Sequence, residues 1–150
     1  DVEFFQDELR KILNLDEPLH MALVGVGSLG HALARYNWRR FKEDPLFTIK
    51  LVALFDIRPE LIGRDIDDVP IYSTDEIPRV VPENDIRLAI VTVPADVAQE
   101  ITDVLVQAGV KAILNFAPVK LDVPKDVQVA NADLSLELQR LAYYIGAQHP

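Results

Sequence analysis

At 150 residues the chain is long enough for one domain with a real core, and with 49% apolar residues it has no disordered character. A formal net charge of −9 repels phosphate backbones, so this chain by itself is not expected to bind nucleic acid. It has no cysteine, which excludes disulfides, thiolate catalysis and cysteine-ligated metals and suits a cytoplasmic origin. No apolar run approaches the ~18 residues that cross a membrane. The chain opens mid-pattern at Asp1, with neither signal peptide nor initiator methionine, as expected of a segment of a longer protein.

Residues 3–14 have a helical pattern, with Phe5, Leu9, Ile12 and Leu13 on one face. Leu19–Val24 is the first expected strand. A helix follows over Ser28–Lys42, with Leu29, Leu33, Tyr36 and Arg40 at spacings of three and four, and Asp44-Pro45 stops it. Phe47–Phe55 is the second strand, Val69–Tyr72 a short third, and Thr74–Val81 a short helix with a proline near its start. Arg87–Val93 is a continuous apolar run, as in a strand covered on both faces. Pro94-Ala95-Asp96 opens a helix to Ala108, which Gly109 caps. Lys111–Phe116 and Val127–Ala130 are further strands, and Asp133–Ile145 is the final helix. The alternation predicts an α/β, doubly wound, mostly parallel Rossmann sheet.

The chemistry concentrates at MALVGVGSLG, residues 21–30. A strand ends in Gly25-x-Gly27-x-x-Gly30 and a helix follows. Gly25 permits the tight turn, Gly27 lets a diphosphate approach the backbone, and Gly30 lets the helix pack closely on the strand. Val26, Ser28 and Leu29 complete the loop. Asp56 closes the second apolar run, where a carboxylate accepts from an adenosine ribose and repels a 2′-phosphate, favouring NAD(H) over NADP(H). The plain alternative is a β-turn followed by a loop aspartate. Thr92, Val93 and Pro94 lie at the end of the fourth expected strand, at the crevice edge or in an ordinary strand-to-helix turn. Asn115 and Phe116 end the fifth on the same side, where the phenylalanine could equally plug the core.

The final helix has a stripe of Leu134, Leu138, Leu141 and Ile145, with Leu136 and Tyr143 off it. A helix apolar round so much of its girth suggests a second docking face, between subunits or within its own domain.

Taken together, DVEFF…LRKIL, GVGSLGHALARY, LVALFDIRPELIG and ILNFAPVKLDVPKDVQVANADLSLELQRLAYYI resemble the nucleotide-binding domain of the Rex family, bacterial redox-sensing transcriptional repressors. The likeness runs over nearly the whole chain, and its most specific part is Asn115 to Tyr144. It implies a homodimer with an N-terminal winged-helix DNA-binding domain, a Rossmann domain that binds NADH and NAD⁺, and a C-terminal helix exchanged with the partner. NADH would release operator DNA by rearranging the dimer. The winged helix is absent from this chain, so operator DNA would be a partner only through that missing domain. The resemblance places Gly25–Gly30 and Asp56 at phosphate and ribose. Thr92–Pro94, Asn115 and Phe116 fall beside the crevice and the nicotinamide. It gives Tyr36 and Asp133 a switching role, although a core tyrosine and an N-cap are the plain readings. It assigns Leu138, Leu141, Tyr143 and Ile145 to the dimer interface. Leu134 stands where some members have phenylalanine, so stacking on the nicotinamide is not expected. The limits that follow are a linker helix over 1–18, a dinucleotide-binding domain over 19–132 and a dimerisation helix over 133–150.

No metal site and no nucleophile–base pair is expected: His20, His31 and His149 are scattered. The rival readings are the cofactor half of an NAD-dependent dehydrogenase, which would need a substrate domain, and a CoA-binding Rossmann module.

Overall fold

The computed structural model describes residues 2–3, 18–36, 49–132 and 134–148, the side chains of 134–137 and 148 excepted. The expected helix over 3–14, the second half of the helix over 28–42, and Asp133 lie outside the described residues.

Seven strands form one sheet in the order β3-β4-β2-β1-β5-β6-β7. They are β1 (Leu19–Val24), β2 (Ile49–Asp56), β3 (Asp65–Ile66), β4 (Val69–Ser73), β5 (Ile86–Val91), β6 (Ala112–Asn115) and β7 (Gln128–Asn131). All neighbours are parallel except β3 and β4. Without the small β3 strand this is the doubly wound order, and the chain reverses direction between β1 and β5. The helices are α1 (Ser28–Ala34), α2 (Ile77–Glu83), α3 (Ala95–Ala108) and α4 (Leu134–Gln148), with a 3₁₀ turn over Thr74–Glu76 before α2.

The apolar runs become strands because both faces of the sheet are covered. Along β1, Ala22 and Val24 join one buried layer with Ile77 and Val80 of α2 and Ala98 and Leu105 of α3. Leu19, Met21 and Leu23 point the other way, into a layer with Ala34 of α1. Period-two alternation therefore buries every position of β1 but His20, whose Nδ1 lies 2.6 Å from the Asn84 carbonyl oxygen. α3 ends where expected, at Gly109 with φ +119°.

Three differences have physical causes. The run over 87–93 ends as a strand at Val91: the Thr92 N–H makes a last bond to the Val24 carbonyl, and the chain then turns through Pro94 into α3. The β3–β4 hairpin was not expected. Its turn is Asp67-Asp68, at φ +48° and +70°, and the Asp65 carboxylate accepts from the Asp68 N–H at 3.2 Å. Finally, α1 buries Gly30 and Ala34 while Leu29 is exposed, so its inward face is the small-residue one. Tyr36 lies past the end of α1 and is exposed too.

Candidate dinucleotide site

The reversal between β1 and β5 brings their C-terminal loops together, which is where ligands of open α/β sheets bind. Gly25 stands at φ +98°, and a Cβ there would come within 2.9 Å of the Thr92 backbone and hydroxyl. A Cβ on Gly30 would run into the Gly25 carbonyl. These two glycines are demanded by the protein's own packing. Gly27 differs: it sits at φ −80°, and a Cβ would meet no atom within 4 Å. Nothing in the fold asks for glycine there, so the requirement falls on what approaches from outside. Gly27 has no side-chain cap, and the first-turn N–H groups of α1 face the same side.

The loop is tied down from three directions. The Gly25 N–H bonds the Phe55 carbonyl at 2.9 Å. The Val26 N–H donates to Asp56 Oδ2 at 2.8 Å, while the Val26 side chain is buried in the core. The Thr92 hydroxyl donates to the Gly25 carbonyl, with the Val24 carbonyl 3.1 Å away. Thr92 is at the crevice as expected, but its proton is spent bracing the glycine loop.

Asp56 is buried at the end of β2. Its Oδ1 accepts from the Arg58 N–H at 2.9 Å and from Arg58 Nε at 3.1 Å. Arg58 also donates through Nη2 to the Val26 carbonyl. Burial pushes the carboxyl up, but the Arg58 guanidinium and the N–H groups of Arg58 and Val26 more than offset it. Asp56 therefore titrates below the usual aspartate range. The Arg58 side chain is thus folded back onto the carboxylate and the loop.

Across the crevice, Pro94 caps α3 and is exposed, and Val93 packs on the layer under α3. Phe116 is half-buried and packs against the opposite layer of the core. Asn115 is fully buried, and its amide bonds only protein atoms. It holds the loop, a role its position at a strand end did not reveal. Its partner Asn131 escaped notice in the sequence, because a lone exposed asparagine at a strand end has no pattern. On α4 the stripe of Leu138, Leu141 and Ile145 is exposed, and Tyr143, off that stripe, is exposed as well. Among the described residues no group of three His, Cys, Asp or Glu could hold a metal ion. None of the described helices is long and apolar enough to cross a membrane.

A family model described as a CoA binding domain matches residues 16–119, and the chain falls within that domain family. Two curated relatives extend the likeness through β7 and α4. The redox-sensing transcriptional repressor Rex of Natranaerobius thermophilus is 41% identical over 144 residues, 96% of this chain and 64% of the relative. Rex of Lactobacillus acidophilus is 41% identical over 148 residues, 99% of this chain and 68% of the relative. The chain belongs to the Rex family of redox-sensing transcriptional repressors. It spans about two thirds of the length of these Rex relatives.

Solved Rex-family structures agree. RSP, a Rex-family repressor, in complex with β-NAD⁺ and operator DNA superposes with a TM-score of 0.79 at 37% identity, over 99% of this chain and 66% of that one. RSP in complex with β-NADH gives a TM-score of 0.76 at the same identity, over 99% of this chain and 69% of that one. An oxidoreductase from Bacillus subtilis, at 17% identity and a TM-score of 0.55, shares the fold alone.

Proposed function

We propose that this chain is the NAD(H)-sensing part of a cytoplasmic, redox-responsive repressor and performs no chemistry of its own. The observation that carries the reading is the pairing of an open Gly27, at the end of a braced glycine loop, with a buried ionised Asp56 one strand away. Both sit at the C-terminal ends of neighbouring strands, Gly27 after β1, which borders the reversal, and Asp56 at the end of β2. A dinucleotide fits this pair: its diphosphate lies against the bare backbone of Gly27 and the first turn of α1, and its adenosine ribose reaches Asp56. Its nicotinamide half then falls over the ends of β5 and β6, beside Pro94 and Phe116. Relatives solved with NADH, and with NAD⁺ and operator DNA, support the same assignment.

In this reading residues 19–132 hold the cofactor, 1–18 link them to a DNA-reading segment and 133–150 join two subunits. Tyr36 and Asp133 take the switching role that the family resemblance implies. Signalling rests on differential affinity: NADH must bind the DNA-released dimer more tightly than the DNA-bound one, or the equilibrium does not move. Operator DNA is then contacted through the third of the relatives' length that this chain does not match. Calorimetric titration of one preparation with NADH, NAD⁺ and CoA tests the assignment. Binding of both dinucleotides, NADH tighter, is the expected result. CoA binding tighter than either would replace it with a CoA-binding module.

A further inference from the structure

Asn115 is buried at 1% exposure, at the last position of β6. Its amide nitrogen faces three acceptors: the Ala117 carbonyl at 3.2 Å, the Val119 carbonyl at 2.9 Å and Asn131 Oδ1 at 3.1 Å. Its amide oxygen accepts from the Ala117 N–H at 2.9 Å. Two carbonyls on one side and an N–H on the other fix the orientation of the Asn115 amide. The Asn131 atom that meets it must therefore be the acceptor oxygen. The two residues are direct partners across β6 and β7, and the Asn115 carbonyl also takes the Ala132 N–H at 2.8 Å. One side chain thus ties the loop over 116–119 to the end of β7. α4 begins at Leu134, three residues after Asn131.

From this juxtaposition we infer that the Asn115–Asn131 bond is the mechanical link that carries cofactor occupancy to the final helix. The inference rests on the cofactor reading above, which puts the nicotinamide half over the loop at 116–119. Whatever displaces or stiffens that loop acts on Asn115. Asn115 is buried and both ends of its amide are bonded, the nitrogen to the loop carbonyls and Asn131, the oxygen to the Ala117 N–H, so its side chain follows the loop. Its exposed partner Asn131 passes the change to the segment that launches α4. Asn115 is here a positioning residue: it touches the loop and β7, not the cofactor.

Asn131 is the residue to change, because it is exposed and its loss leaves the core intact. Hydrogen exchange is followed with and without saturating NADH in the full chain, its Asn131→Ala variant and its Asn131→Asp variant. Amides over 25–34 report cofactor arrival, and those over 134–148 report the helix. In the unaltered chain NADH is expected to slow exchange in both segments. In Asn131→Ala the slowing over 25–34 stays, while that over 134–148 falls at least about fivefold, the low end of measured couplings. Asn131→Asp keeps an acceptor for the Asn115 amide and should respond as the unaltered chain does. A helix response that survives in Asn131→Ala, is lost in Asn131→Asp, or is missing from the unaltered chain overturns the link. Absence of slowing over 25–34 in the unaltered chain overturns the cofactor reading, and the link with it.

Discussion

Gly27 and Gly30 separate what the fold needs from what the ligand needs. A methyl group on Gly30 would overlap the Gly25 carbonyl and press on Thr92 Oγ1 at 3.0 Å. The first obstacle is backbone and cannot swing aside. Overpacking of this kind costs ~1–3 kcal/mol, more than the ~1 kcal/mol that alanine gains over glycine in a helix. A backbone obstacle puts Gly30→Ala in the upper part of that range, and a net loss of ~2 kcal/mol lowers the melting temperature of a domain this size by ~4–8 °C. Gly27→Ala meets nothing within 4 Å and keeps an allowed φ of −80°. Its folded state should be unchanged or gain up to ~1 kcal/mol from the narrower unfolded ensemble. It should nevertheless weaken NADH at least ~10-fold, or ~1.4 kcal/mol, because the new methyl stands where the diphosphate meets the backbone. Circular dichroism melts read the first quantity and calorimetric titration the second. A Gly27→Ala protein that melts as low as Gly30→Ala, or that binds NADH like the parent, would refute the division of labour.

Thr92→Val removes the hydroxyl that braces Gly25 and should cost ~1 kcal/mol in urea unfolding, with Thr92→Ser close to the parent; equal midpoints for all three would mean the brace is idle. Asp56 titrates lower folded than unfolded, so the unfolded chain binds more protons and stability rises with pH across that window. The contribution should be complete above the ordinary aspartate range near pH ~4 and lost as pH falls below it, and Asp56→Asn should flatten the slope of urea midpoint against pH. NADH should bind at least ~10-fold better than NADPH, since the Asp56 carboxylate opposes a 2′-phosphate. Arg58→Ala should widen that preference by removing the nearest cation, and equal titration of both cofactors would reject the ribose assignment. The full chain should sediment as a dimer at tens of micromolar and a Leu141→Glu, Ile145→Glu double variant as a monomer; a parent that is already monomeric would end the subunit-contact reading of α4.

The parallel strands and the glycine loop were legible because each leaves a one-dimensional trace. LHMALV and RLAIV are apolar at nearly every position, which only a strand covered on both faces requires. Gly25 and Gly30 stand at the spacing that close packing imposes. What stayed hidden depends on direction in space. A two-residue strand such as Asp65–Ile66 is too short to show any period. The run continues through Val93 after the strand ends at Val91, because Val93 still packs, partly buried, on the layer under α3. Thr92 and Asn115 could be placed beside the crevice from their positions at strand ends, and Arg58 follows β2 by two residues. Whether each side chain turned toward a ligand or back into the loop depended on the third dimension, and all three turn back.

That inward turn bears on how such a module switches. Thr92 holds the glycine loop, Arg58 clasps Asp56 and Val26, and Asn115 ties the loop after β6 to Asn131. The crevice wall is therefore held by bonds within the protein itself. A wall held this firmly is poorly suited to exist in two arrangements. Switching needs an element with two near-equal placements. Among the described elements, the one whose apolar face lacks a cover is α4, with Leu138, Leu141, Tyr143 and Ile145 open. Its contacts decide its place, so a small displacement at the end of β7 can be amplified into a different seat on a partner. The rigid sheet would then read the cofactor, and the uncovered helix would report it.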